Sequence, residues 1–245
     1  MLQRTFGLDC RVAIAPRNDA KATTLVNQED YRMRKILLFL FVLLMGVQLF
    51  AADVVPRNVN SIRPDTLGFY QAENVITLYE KPWDNAKIIR SFHWDKTGIY
   101  PEGIRPGEFF AVYIPGKNLA FLTVADEMEG WVEVVFNNRT GERGWLKKDD
   151  PYRFLNWFNF VNMYGKKYGM NILSGAGEQA NVLYSAPEDG SQIVGRINHP
   201  QKINLTVLRG NWALVSVYDM DKTPKTGYIR WRSDNGVKYL FPSVK

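Results

Sequence analysis

The sequence predicts a mainly β protein: two small β-barrels joined by a short helix, preceded by a hydrophobic signal helix. Three observations predict it. Short segments rich in β-branched and aromatic residues alternate with turn residues; one hairpin is written twice; and one long apolar run stands near the start. The hairpin reads "GWVEVVFNNRTGERGWL" over residues 130–146 and returns as "NWALVSVYDMDKTPKTGYI" over residues 211–229. With 245 residues, 46% of them hydrophobic and 13% aromatic, the chain has enough apolar surface for packed cores.

Residues 1–32 show no clear amphipathic period and carry acidic residues just ahead of the apolar run. From Met33 the chain reads "MRKILLFLFVLLMGVQLFAAD", with Arg34 and Lys35 as a basic start, an apolar run from Ile36 to Val47, and small residues at Ala51 and Ala52. A bilayer span needs about 20 apolar residues. The shorter run behind a basic pair fits an export signal over residues 33–51, cleaved near Ala51; an uncleaved anchor is the alternative. Residues 1–32 then read as an extension upstream of a start at Met33, or else as a long leader or cytoplasmic tail. The single cysteine, Cys10, lies in that extension. An exported chain without it has no disulfide and no attachment point for a lipid. The expected location is periplasmic or secreted, with the membrane met only transiently through the signal segment.

The formal charge of +6 includes seven Lys/Arg and four Asp/Glu within residues 1–51, which leaves 24 against 21 from Ala52 onward. So small an excess excludes a nucleic-acid partner, which calls for a strong basic face.

Residues 52–66 are polar, hold Pro56 and Pro64, show no period, and read as a linker or extended arm. The first barrel covers residues 67–150, with strands expected at 75–79, 87–92, 108–114, 119–124 and 131–136. Pro115, Gly116, Lys117 and Asn118 supply a hairpin turn. Residues 151–170 form the helical linker. Asp150 is its cap and Pro151 its first residue, Phe154, Trp157, Phe158, Val161 and Tyr164 recur at helical spacing, and Gly165 ends it. This helix either sets the spacing of two modules or simply completes the first. The second barrel covers residues 171–245.

The repeat can be followed by position. "LYEKP" at residues 78–82 matches "LYSAP" at 183–187, and the same offset of 105 sets Ile88 and Ile89 on Ile193 and Val194. "LTV" at 122–124 matches "LTV" at 205–207, Trp131 matches Trp212, and "GWLK" at Gly144 matches "GYIR" at Gly227. The first copy has 24 more residues between Phe92 and Trp131 than the second has between Ile197 and Trp212, which an added hairpin accounts for. Because each copy repeats a full strand order, residues 171–245 are expected to fold alone unless the two share a core.

The second copy, "NVLYSAPEDGSQIVGRI…INLTVLRGNWALVSV…TGYIR…YL", resembles the bacterial SH3-type (SH3b) module. It has a first strand ending at Pro187, a short strand at 193–197, an aromatic opening the hairpin at Trp212, and a Gly-aromatic-aliphatic strand at 227–229. The first copy shows the same order with Pro82, Trp131 and residues 144–146, its insertion departing from the usual spacing. Together the matches cover most of residues 70–245. The resemblance implies small barrels of five to seven strands that bind peptidoglycan, peptides or partner proteins in the cell envelope, without a cofactor.

Strand parity sorts the residues of the hairpins. Val132, Val134 and Phe136 oppose Trp131 and Glu133, and Ala213, Val215 and Val217 oppose Trp212 and Ser216. The aliphatic face is the core, so Trp131 and Trp212 are expected at the surface, either in a groove or beneath the helix or the other module. With Trp145, Tyr228, Arg230 and Trp231 they form the candidate ligand-binding set, since Arg and Trp together grip a carboxylate and a flat apolar group. No catalytic or metal site is expected. His93 and His199, each just past a strand, are too few for a metal. Gly175 and Gly177 in "ILSGAGEQ" lack the Lys of a phosphate loop. A cysteine peptidase needs a thiol absent after Cys10, and no G-x-S-x-G motif appears. Glu102, Glu108, Asp126, Glu127 and Glu129 are the carboxylates a glycan-cleaving enzyme could use. The reading is therefore a non-catalytic envelope protein binding peptidoglycan or a peptide; the alternatives are an adaptor on another envelope protein and a glycan-cleaving enzyme.

Overall fold

The computed structural model of the chain describes Lys35 and residues 53–95, 97–100, 104–198, 200–220 and 223–244. Residues 1–32, the remaining signal residues Met33, Arg34 and Ala51, and also Glu102 and His199, lie outside the described residues. Among the described residues no helix is long and apolar enough to cross a membrane.

The first sheet comprises β1 (Gly68–Gln71), β2 (Val75–Tyr79), β3 (Ile88–Trp94), β4 (Ile99–Tyr100), β5 (Val112–Ile114), β6 (Leu119–Met128), β7 (Trp131–Asn137), β8 (Glu142–Lys147) and β9 (Phe154–Asn156). The second comprises β10 (Met170–Ile172), β11 (Val182–Tyr184), β12 (Ile193–Arg196), β13 (Pro200–Arg209), β14 (Trp212–Asp219), β15 (Pro224–Arg230) and β16 (Leu240–Pro242). Their orders are β4-β3-β2-β8-β7-β6-β1-β9, with β5 on β6, and β12-β11-β15-β14-β13-β10-β16. Strand for strand these are one order written twice, with β4 and β5 added to the first. Each ladder runs from edge to edge without closing, so two antiparallel sheets stand where closed barrels were expected.

The register corrects one match of the repeat. Val124 faces Val134 as Leu205 faces Val215, and each copy bulges at the next residue. Val124 is thus equivalent to Leu205, and the two "LTV" triplets are offset by two positions. The insertion also differs from a single hairpin. β4 adds to β3, a helical turn at Pro106–Phe109 follows, and only then do β5 and β6 form a hairpin across the expected turn, where Asn118 adopts a left-handed φ of 52°. The strand expected from residue 108 begins at Val112, because Pro106 starts a turn of helix before it.

The linker helix is Trp157–Tyr168. Asn156, not Asp150, caps it by accepting from the Asn159 N–H at 2.8 Å; Pro151 lies in a separate 3-10 turn; and Phe154 belongs to β9. It runs through Gly165 to stop at Gly169, whose φ is 83°. Gly165 sits mid-helix because the helix there meets the second sheet: a Cβ would lie 2.5 Å from the Met170 sulfur and 2.9 Å from a Leu205 methyl. Its buried stripe is Trp157, Phe160, Val161 and Tyr164, with Phe158 exposed.

This stripe fuses the two copies. Phe160 packs edge-on against Phe69 of the first sheet at 4.6 Å between centroids and lies tilted against Phe241 of the second at 5.6 Å, and Phe69 itself reaches Phe241 at 6.1 Å. One continuous core therefore holds one face of β1, β5 and β6, the helix, and the inner face of the second sheet apart from its edge strand β12. A separate core, with Leu78, Trp94, Leu122 and Val134, fills the first copy alone. β6 is buried on both faces, which is why its sequence "LAFLTV" runs apolar instead of alternating.

Residues 53–66 are an arm stitched to both copies. Val54 exchanges backbone hydrogen bonds with Tyr113 on β5, Arg57 and Val59 pair with Ser174, and Ile62 enters the shared core. Gly175, with a φ of 82°, packs against Val59, which assigns the "SGAG" loop a docking role.

Candidate functional site

The hairpin glycines show why both copies carry the Gly-aromatic-aliphatic signature. Gly144 and Gly227 lie on β8 and β15 where these strands pair with β2 and β11, and a Cβ would come within 3.3 Å of Leu78 Cβ in one and 3.0 Å of Leu183 Cβ in the other. The missing Cβ lets β8 and β15 lie this close, more tightly at Gly227 than at Gly144, and the next residue is turned outward: Trp145 in the first copy, Tyr228 in the second. Both are half-buried.

Around them the copies build the same constellation. Tyr79 meets Trp131 edge-on at 5.4 Å and 89°, and Tyr184 meets Trp212 at 5.4 Å and 83°. Lys147 stands opposite Trp131 in the ladder as Arg230 stands opposite Trp212. Each cation then reaches back to the loop after the tyrosine. Lys147 donates to Asp84 at 2.6 Å, and Arg230 pairs with Asp189, the residue 105 positions beyond Asp84. Asp84 holds the Lys147 ammonium above its usual pKa. Arg230 also lies 5.0 Å above the Trp212 ring and binds Asp234 at 3.1 Å, and hydrogen bonds from Asn211 and Arg230 hold the Asp234 carboxyl below the usual range.

Trp131 and Trp212 lie outside both aliphatic cores, but both are buried, so neither is the surface platform that strand parity led us to expect. They are 8% and 7% exposed, with Tyr79 and Tyr184 packed edge-on against them and Arg230 lying over the Trp212 ring. Trp231 is fully buried in the shared core, its indole N–H donating to the Gly210 carbonyl at 2.9 Å, and so leaves the candidate set. Of the candidate set, Trp145 meets solvent in the first copy, beside Lys147, and Tyr228 and Arg230 do so in the second, where Arg209 lies 5.9 Å over the Tyr228 ring. Arg230 also lines an open cavity of about 480 Å³ with Asp189, Asp234 and Tyr239. The aspartates were missed in the sequence reading, although the ungapped match from Leu78 carried Asp84 onto Asp189.

His93 lies within β3, not past it, and is exposed. Among the described carboxylates of the first copy that a glycan-cleaving enzyme could use, Glu108 stands apart from the other three. The Glu108 carbonyl accepts from Asn138, just beyond the far end of β7, whereas Asp126, Glu127 and Glu129 sit where β7 begins, roughly 20 Å away along seven residues of strand. A glycosidase pair is separated by about 5–9.5 Å. Glu127 is paired with Lys148 at 2.8 Å. Among the described residues no group of three or more His, Cys, Asp or Glu could hold a metal ion.

No family model matches the chain, and no curated protein matches it.

Proposed function

We propose that the protein is an exported, non-catalytic binding protein of the cell envelope, which holds peptidoglycan or a peptide on the outer faces of two SH3-like modules. The observation that carries this reading is the recurrence of a half-buried aromatic beside a cation, Trp145 with Lys147 and Tyr228 with Arg230, each on a tyrosine–tryptophan pair braced by an aspartate. Two such surfaces on one body suit an extended ligand, because the second contact forms at high effective concentration once the first is made. The strand order written twice supports the SH3-like assignment.

Retention of the protein by isolated sacculi tests the reading. The wild type is expected in the bound fraction, and the double variant Trp145→Ala/Tyr228→Ala is expected to lose about tenfold or more in affinity, as when a central interface aromatic is removed, with its melt nearly unchanged. Equal retention of the two would sink it. A structural adaptor is the alternative, favoured by Ile193 and Val194, each 48% exposed on the edge strand β12. It predicts co-purification with one envelope protein and no retention by sacculi.

A further inference from the structure

A second surface lies on the outer face of the first sheet, at the other end of β2 from Tyr79. Side chains alternate along the strand, so Val75, Thr77 and Tyr79 point outward while Ile76 and Leu78 fill the core. Val75 pairs with His93 on β3, and His93 with Tyr100 on β4, which sets three side chains in a row across three strands. Val75 is 65% exposed, and the His93 imidazole stacks on the Tyr100 ring with centroids 4.7 Å apart and planes 15° from parallel. An open cleft of about 670 Å³ covers this row, a size typical of ligand sites. Thr77 and Ser91, 3.3 Å apart, continue the surface toward Tyr79, roughly 13 Å along the strand from Val75.

The lining selects the ligand. Its floor is flat and apolar, and the one carboxylate among the described lining residues, Asp95, is engaged by the Thr97 N–H at 2.6 Å, by the Thr97 hydroxyl and by the Gly98 N–H. Among the described residues around the row, the other polar groups at the rim are hydroxyls and an amide, each with one bond inside the protein and capacity for another: Ser91 with Thr77 at 3.3 Å, Tyr100 with Thr97 at 2.7 Å, and Asn74, whose amide N–H donates to the Trp94 carbonyl at 2.9 Å. Such a surface fits a neutral ring with one apolar face and a hydroxyl-bearing edge. At the equivalent place in the second copy Asn198 stands for His93, no strand among the described residues corresponds to β4, and the cleft is lined by Glu178 and Arg196. The row thus exists because of the insertion.

We propose that Val75, His93 and Tyr100 form a saccharide-binding subsite, taking a sugar ring of the extended ligand whose other part lies at Tyr79 and Trp145. This rests on the outer faces being the binding surface. The test is titration of the intact protein with the linear tetramer of N-acetylglucosamine, followed by calorimetry. Saturable binding is expected, weakened about tenfold by Tyr100→Ala, the scale of one lost ring contact, and at least as much by Val75→Lys, which lays a charged chain across the row. Val75 is exposed, so the second variant keeps its fold and decides the matter if loss of Tyr100 loosens β4. Absence of saturable binding by the wild type, or equal affinity in Val75→Lys, overturns the subsite. Retention by sacculi without tetramer binding overturns it while leaving the proposed function standing; loss of both overturns both.

Discussion

Gly227 and Gly144 occupy the same place in the two copies but differ in how tightly they are held. A methyl at Gly227 would meet Val194 at 2.9 Å and the Tyr184 backbone carbonyl at 3.0 Å, whereas at Gly144 it would meet Ile89 and Leu78 at 3.3 Å. Backbone yields less than a side-chain tip. Gly227→Ala should therefore cost about 1–3 kcal/mol in a denaturant melt, the range of overpacking, and Gly144→Ala less; the reverse order would contradict the packing. Trp212→Ala should cost roughly 3–5 kcal/mol, because its ring is buried against Tyr184. Lys238 adds a pH dependence. Its side chain is fully buried, with its ammonium 4.2 Å over the Trp157 ring and donating to the Pro64 carbonyl at 3.2 Å. Burial, then repulsion from Arg232, pushes its pKa down to about 8 from 10.5. A lowered lysine pKa means that the unfolded chain binds more protons between those values. The penalty is complete below about pH 8, and stability rises from there to pH 10.5 by up to about 3 kcal/mol. Stability curves of the wild type and Lys238→Met over this window should diverge in slope, the variant lacking the rise.

The helix Trp157–Tyr168 determines how the copies relate, and Phe160 is its centre. That ring contacts Phe69, Phe121 and Phe241, from both sheets, within 4.6–5.6 Å. Phe160→Ala should cost roughly 3–5 kcal/mol and split a single calorimetric transition into two, since the first copy keeps its own core of Leu78, Trp94 and Val134. A variant that still melts in one step would show that the coupling runs elsewhere. The helix's boundaries were misread because Asp150 and Pro151 make a plausible cap and first turn. Their backbone instead enters a 3-10 turn, and Phe154–Asn156 are drawn into the sheet by pairing with β1.

At the scale of the whole molecule, the arm and the shared core make the second copy dependent on the first. Trp231, Phe241 and Val244 face a core that continues through the helix to Phe69 and Phe121, and the Ser174 N–H donates to the Arg57 carbonyl. Residues 171–245 alone lack the helix and the arm. They should show no cooperative thermal transition by circular dichroism, whereas residues 53–245 should; a cooperative melt of the fragment would separate the cores again.

Much of this architecture was legible in the sequence because it is local. Alternation marked the hairpin strands, Pro115 to Asn118 marked a turn, and the matched runs from Leu78 and Leu183 marked the repeat, since neighbouring residues along one strand carry each signal. Parity likewise put Trp131 and Trp212 outside the aliphatic core. Only the tertiary structure decided what packs on them, because Tyr79 and Tyr184 arrive from strands some fifty and thirty residues away in sequence, and exposure is a property of what packs above a ring. It alone decided, too, that the copies share a core. An apolar stripe such as Trp157, Phe160, Val161 and Tyr164 announces a buried face, but its sequence is the same whichever surface buries it, and here both sheets do.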